Sequence, residues 1–289
     1  MAKVISFQVP KSQKEFVRYQ EDSGKTFYDK LHQHPLLQLT YILDGKGQFL
    51  SGDYVGRFSA GDLFFLGENV PHVFRSDPEY FEEGFDLRSE GRTIFFDFDA
   101  LGRAIGDLEE LSPLQRFREY AGLCFQVKGE TQEKIIGLLE VFGKSAGLKR
   151  FQLAVQLLGL LDEAKDDLQR LNQDGLLQGL SEKDGSRMNR VMQYLLDRRF
   201  QKISLDETAA VANLSKEAFC RYFKLRTRKT FTQYLLQLRI NEAQKLLQET
   251  DLGISEIAYQ VGFENLSYFN RSFKNITRIT PKEWRKINS

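Results

Sequence analysis

A chain of 289 residues with 41 % hydrophobic and 28 % charged side chains can build two domains with separate cores, which excludes a disordered or fibrous protein. Two cysteines exclude a disulfide scaffold, and the opening Met1-Ala-Lys-Val-Ile-Ser-Phe-Gln and every later stretch lack a signal core or a membrane-length apolar run, so a cytoplasmic protein without membrane partners is expected. The net charge of +1 hides an asymmetry: residues 187–289 hold 19 Lys and Arg against 10 Asp and Glu, residues 1–186 hold 22 against 30, and the C-terminal part therefore suits a polyanion.

Residues 7–98 read as β structure. Short β-branched or aromatic runs, such as Leu37–Leu43, Asp62–Leu66 and Thr93–Phe98, alternate with the breakers Asp44-Gly-Lys-Gly47, Ser51-Gly-Asp53 and Ala60-Gly-Asp62. This spacing predicts a small sandwich or barrel. From about Leu108 the period becomes helical, with Ile135, Leu138, Leu139 and Phe142, then Phe151, Ala154, Val155, Leu158, Leu161 and Leu168. Leu153, Leu157 and Leu160 widen the second stripe beyond one face. Two readings stay open: burial on both sides within the subunit, or a helix pair that also makes a homodimer. Residues 172–186, with three glycines and small polar residues, read as a linker. Tyr41, Phe49, Phe64 and Phe74 are read either as pocket lining or as plain strand core.

Residues 187–289 carry two helix-turn-helix patterns. The first, Ile203 to Lys224, places a helix over 206–212, Asn213 at the turn, and Ser215 as cap of a second helix with Glu217 completing a capping box. Phe219 and Phe223 face inward, leaving Lys216, Glu217, Cys220, Arg221 and Lys224 on the other face. The second pattern, Ile254 to Lys274, has Gly262 at the turn and Asn265 or Ser267 as cap. Phe269 and Phe273 face inward, leaving Leu266, Ser267, Asn270, Arg271 and Lys274. The Phe-x-x-x-Phe pair thus recurs at an interval of 50 residues, across one long helix over 232–248. Such second helices lie in a DNA major groove, where an arginine bonds two guanine acceptors or a phosphate.

Residues 187–286 resemble the DNA-binding domain of the AraC/XylS family of bacterial transcription regulators, most closely in Ile254–Lys274 and the ending Thr280-Pro-Lys-Glu-Trp-Arg285. The resemblance implies base-reading positions at Glu217, Cys220, Arg221, Leu266, Ser267 and Arg271, of which Cys220 and Leu266 are poor hydrogen-bonding readers. It implies double-stranded promoter or operator DNA as partner, a small-molecule effector, a homodimer and RNA polymerase as a further partner.

All three histidines lie in the N-terminal part, in Leu31-His-Gln-His-Pro-Leu-Leu-Gln38 and in Gly61–His72, and these segments resemble the two cupin motifs. The resemblance implies a cupin-like barrel with an effector pocket that includes His32, His34, Gln38 and His72. Metal-binding cupins carry a Glu where this chain has Gln38, a neutral and weaker ligand. The reading adopted is a hydrogen-bonded pocket with no metal and no cofactor; the alternative is a metal held by the three imidazoles. Two further function classes follow from that choice: a cupin enzyme with a DNA-binding tail, which bound metal would favour, and an architectural DNA binder without effector, which a ligand pocket would oppose. The reading favoured is an effector-controlled regulator that is not an enzyme.

The expected fold is therefore α+β: a cupin-like β-barrel over residues 1–100, a helical and dimerising segment over 101–171, a linker over 172–186, and an all-α DNA-binding domain over 187–289.

Overall fold

The structure, a computed structural model, describes residues 15–84, 86–105, 109, 112–164, 166–173 and 182–288. The chain divides into two compact units, Met1–Lys183 and Asp184–Ser289.

In the first unit, strands β1 (Val17–Gly24), β2 (Leu37–Asp44), β3 (Gly47–Ser51), β4 (Tyr54–Phe58), β5 (Leu63–Leu66), β6 (His72–Ser76) and β7 (Ser89–Phe96) are followed by helices α1 (Phe98–Ile105) and α2 (Ser112–Glu119). Strand β8 (Cys124–Val127), helices α3 (Gly129–Phe142) and α4 (Gly147–Glu163), and strand β9 (Leu168–Arg170) complete it. The strands form a six-stranded sheet, β1-β7-β2-β5-β8-β9, and a three-stranded sheet, β4-β3-β6. The expected barrel is thus two sheets, not one ladder closed on itself.

The period of two along each strand explains how one sheet serves two cores. Leu37, Leu39, Leu63, Phe65, Ile94, Phe96, Phe125 and Val127 point to one face and pack with Ile135, Leu139 and Phe142 of α3 and Leu153, Ala154, Leu157, Leu158 and Leu161 of α4. Their neighbours Ile42, Phe64, Leu66 and Cys124 belong to a second cluster with Phe49, Phe58, Val70 and Phe74. The rings of Phe49 and Phe74 stack at 4.4 Å, and Phe49 lies 4.5 Å from Phe64. Of the four aromatics read as pocket or core, Phe49, Phe64 and Phe74 are therefore close-packed core, and Tyr41 packs against the helix-covered cluster.

Two boundaries move. The β unit does not end at residue 100: β8 pairs with β5 and β9 with β8, so part of the segment read as purely helical completes the sheet. Both strands are four residues or fewer, too short for a period of two to stand out against helical flanks. The wide stripe of α4 is explained inside this unit, since Leu153 and Leu157 are 3 % and 0 % exposed on the subunit's own core. The stretch read as linker also narrows. Asn172 is buried, its amide donating to the Gly122 carbonyl at 2.7 Å and accepting from the Cys124 amide at 2.7 Å. Glu182–Ser186 form the first turns of a helix, where Glu, Lys and Asp outweigh the single Gly185. The remaining linker positions 174–181 lie outside the described residues.

The second unit is helical: α5 (Glu182–Arg198), α6 (Leu205–Val211), α7 (Lys216–Thr227), α8 (Phe231–Glu249), α9 (Ile254–Gln260), α10 (Leu266–Thr277) and α11 (Pro281–Asn288). Phe219 and Phe223 are fully buried and meet Phe231 and Tyr234 edge to face, while Phe269 and Phe273 pack with Ile240, Ala243, Leu247, Ile257 and Val261. The long helix α8 contributes to both clusters and so ties the two helix-turn-helix units together.

Candidate functional site

Each helix-turn-helix turns on one left-handed residue. Asn213 has φ 53° and Gly262 φ 89°. At Gly262 glycine is required by space as well as by conformation, since a Cβ would sit 2.7 Å from the Phe200 carbonyl oxygen and 3.0 Å from the Arg239 guanidinium. That guanidinium is fixed in turn, donating to the carbonyls of Arg199 and Gln201 at 2.8 Å each.

Side-chain caps set the start of both second helices. The Ser215 hydroxyl accepts from the Ala218 amide, and the Asn265 side chain accepts from the Tyr268 amide, so Asn265 and not Ser267 is the cap. The capping box expected at Ser215 is absent because its third helical residue is Ala218, not Glu217. Reciprocal boxes occur instead at Ser204 with Glu207 and at Thr230 with Gln233. The 50-residue repeat runs further than the phenylalanine pairs: both second helices end at a left-handed arginine, Arg228 and Arg278, and each is preceded by a threonine, Thr227 or Thr277, bonded to the carbonyl of the inner Phe.

These features leave one outward face on each helix. On α7, Lys216, Glu217, Cys220, Arg221 and Lys224 are exposed. Lys216 is paired with Asp206 at 2.9 Å, which raises its ammonium pKa, while Arg221 makes no hydrogen bond or ion pair among the described residues. On α10, Ser267, Asn270, Arg271 and Lys274 are exposed, whereas Leu266 is half-buried against the core of its unit. The Arg271 guanidinium lies over the Tyr268 ring at 5.5 Å. Beside α10 a groove of about 720 Å³ is lined by Phe200, Arg239, Tyr259, Tyr268 and Arg271 among others. Tyr259 and Tyr268 are exposed, two aromatics that the sequence reading did not single out.

The histidines converge. His32 and His72 face each other in an isolated antiparallel bridge, the His32 amide donating to the His72 carbonyl at 3.1 Å and the His72 amide returning a bond at 2.8 Å. The ring centroids lie 4.2 Å apart for His32 and His72, 5.3 Å for His34 and His72, and 6.1 Å for His32 and His34. Nδ1 of His32 meets the Lys30 carbonyl at 2.8 Å and Nδ1 of His72 meets the Val70 carbonyl at 2.9 Å, so in each of these rings Nδ1 carries the proton. Gln38 donates through Nε2 to Thr40 at 2.7 Å and turns its Oε1 to His34 Nε2 at 2.8 Å. Thr40 then meets Thr93 across the sheet at 3.1 Å, a partner 53 residues away that no local signal marks.

Burial lowers the pKa of all three imidazoles, that of His32 to about 4, so the cluster is neutral at pH 7. Hydrogen bonds satisfy only part of the cluster: among the described residues His34 Nδ1 and His72 Nε2 are buried with no partner.

The comparisons agree with this division of labour. The model of the AraC-like ligand binding domain matches residues 14–180, and that of a helix-turn-helix domain matches residues 208–287. The chain is 26 % identical over 266 residues to the HTH-type transcriptional activator RhaR of Escherichia coli, covering 89 % of this chain and 87 % of that protein. It is 35 % identical over 103 residues to the uncharacterized HTH-type transcriptional regulator YdeC of Bacillus subtilis, covering 36 % of this chain and 35 % of that one. Among solved structures, the C-terminal domain of the response regulator yesN from Fusobacterium nucleatum is 34 % identical, covering 33 % of this chain and 93 % of its own, with a TM-score of 0.32. No helix among the described residues is long and apolar enough to cross a membrane. With a ligand-binding unit ahead of two duplicated DNA-reading helices, the chain belongs to the AraC family of DNA-binding transcription regulators.

Proposed function

We propose that α7 and α10 enter the major groove of promoter DNA and that Arg221 and Arg271 are the principal base readers, flanked by Lys216, Glu217, Cys220, Lys224, Ser267, Asn270 and Lys274. The observation that carries this reading is the repeat itself: Arg221 and Arg271 stand 50 residues apart, two residues after their buried Phe219 and Phe269, and are both exposed. Leu266 packs against the core of its unit and contributes an apolar edge at most. The pocket of His32, His34, Gln38 and His72 takes a small effector that biases DNA binding. The protein acts as a homodimer that contacts RNA polymerase, and it carries out no reaction of its own. The dimer reading rests on the outer surface of α4, where Leu148 is 83 % exposed and open space lies where a Cβ on Gly159 would stand.

Binding-site selection with the full chain tests the readers. Arg221→Ala should lose about 1–3 kcal/mol of affinity and relax one base position. An unchanged selected motif with a uniformly weaker affinity and a shallower salt dependence would make Arg221 a phosphate contact instead.

A further inference from the structure

We infer that Asp184 is a positioning residue of the first reader: from the head of α5 it sets the seat of α7, and through α7 the aim of Arg221, without touching DNA itself. The inference rests on the reading that α7 lies in the major groove. The Asp184 carboxylate meets the Arg226 guanidinium at 2.8 Å through Oδ2 and that of Arg187 at 3.3 Å through Oδ1. Its backbone carbonyl accepts from the Tyr222 hydroxyl at 2.9 Å. Both guanidiniums lie over the Tyr222 ring, Arg187 at 5.4 Å and Arg226 at 5.9 Å. One carboxylate thus holds two cations about one aromatic ring.

Tyr222 and Arg226 both belong to α7, one and five residues after Arg221. Arg187 extends the grip to the other helix of the motif, its Nε donating to the Ala212 carbonyl at 3.0 Å, directly before the turn at Asn213. A cation at the last carbonyls of a helix is favoured by the helix dipole. The head of α5 therefore holds α6 by its end and α7 by its later turns. The hold is largely electrostatic and only partly open to water: the side chains of Asp184, Arg187 and Arg226 are 26 %, 20 % and 20 % exposed. Without the carboxylate, two guanidiniums would share one ring with that counter-charge gone, and their repulsion would push Arg226 and the end of α7 away. Burial and the Asp184 charge push the Tyr222 hydroxyl up to about 12, so it keeps its proton and its bond at neutral pH.

The internal repeat separates this device from the needs of the motif. Fifty residues on from Tyr222 and Arg226 stand Ser272 and Ile276, which can make neither the ring contact nor the ion pair. A helix-turn-helix of the same plan thus forms in α9 and α10 without such a grip. What the grip adds at the first unit is a fixed direction for α7. A side chain that reads a base edge has to be held to about 0.5 Å, so a small tilt of α7 is enough to spoil the aim of Arg221.

The test uses the full chain and the duplex recovered by binding-site selection with it, and reads two things. One is the selected motif. The other is alkylation of Cys220 by iodoacetamide, which reports on α7 because Cys220 is the exposed thiol and Cys124 is buried. Saturating duplex should slow that alkylation in the native chain. Asp184→Asn should bind the duplex roughly tenfold more weakly. It should relax the base positions that Arg221→Ala relaxes, keep those that Arg271→Ala relaxes, and lose much of the protection of Cys220 at saturating duplex. Asp184→Glu, which keeps the charge, should restore motif and protection. Arg226→Gln cuts the same pair from the α7 side and should repeat the Asp184→Asn pattern, with circular dichroism confirming that each variant is folded. If Arg221 proves a phosphate contact, the Cys220 readout decides alone. Equal weakening at the positions of both readers, or a lower melting temperature with motif and protection intact, would make Asp184 a structural residue and overturn the inference, as would native behaviour of folded Arg226→Gln. A native chain whose Cys220 reacts equally fast with and without duplex would remove the major-groove reading of α7, and the inference would fall with it.

Discussion

Replacing Gly262 by alanine tests whether the second reader depends on one backbone conformation. The residue has φ 89°, a region that costs an L-residue roughly 1–2 kcal/mol. The added Cβ would also stand 2.7 Å from the Phe200 carbonyl oxygen and 3.0 Å from the Arg239 guanidinium. The oxygen is backbone and cannot swing aside. The guanidinium can move only by weakening its bonds to the carbonyls of Arg199 and Gln201. Forcing a methyl into such a contact adds about 1–3 kcal/mol, for a total of roughly 2–5 kcal/mol. In a unit of this size 1 kcal/mol corresponds to about 4–8 °C, so the helical unit should melt some 10 °C lower or more. Calorimetry on the full chain reads that transition, and a mobility shift reads the accompanying loss of DNA affinity. Asn213→Gly is the control: the equivalent turn has φ 53°, which glycine adopts without strain, so its melting should change little. A Gly262→Ala protein with unaltered melting and full DNA affinity would refute the argument.

Other outcomes follow from single contacts. Thr40→Val removes the acceptor of the buried Gln38 amide and the bond to Thr93, and should lower the stability of the first unit by about 1–3 kcal/mol in a denaturant titration. In the presence of chelator, stability should fall as pH drops from about 6.5 towards 4, because the unfolded histidines take up protons that the buried ones refuse until the folded pKa, about 4 for His32, is reached. Flat stability across that window would contradict the buried neutral cluster. Phe269→Ala, at a fully buried ring between α9, α10 and α8, should cost about 3–5 kcal/mol by chemical denaturation. Light scattering at tens of micromolar should give a dimer mass that Leu148→Glu lowers to that of a monomer; a monomeric native chain would count against pairing through α4.

The sequence by itself determined what is local. Turn chemistry at Asn213 and Gly262, the cap Ser215, and the helical spacing of Phe219, Phe223, Phe269 and Phe273 are all properties of short segments, and they settle which face of each reader looks outward; the choice of Asn265 over Ser267 as the second cap came from the structure. The resemblance to the cupin motifs also grouped His32, His34, Gln38 and His72, which the fold does bring together although 40 residues separate the first from the last. Tertiary structure decided what depends on partners far along the chain. Strands β8 and β9 are too short to announce themselves and exist because β5 offers an open edge to pair with. The surplus leucines of α4 find their use in the sheet it covers, which the helix alone cannot reveal. The tautomers of the histidines follow from carbonyls of Lys30 and Val70 and from the Gln38–Thr40–Thr93 chain, whose members meet only through strand register. Local patterns fix which side chains face inward; only the folded sheet fixes what each meets there, because hydrogen-bond partners and packing neighbours are chosen by pairing across the whole unit.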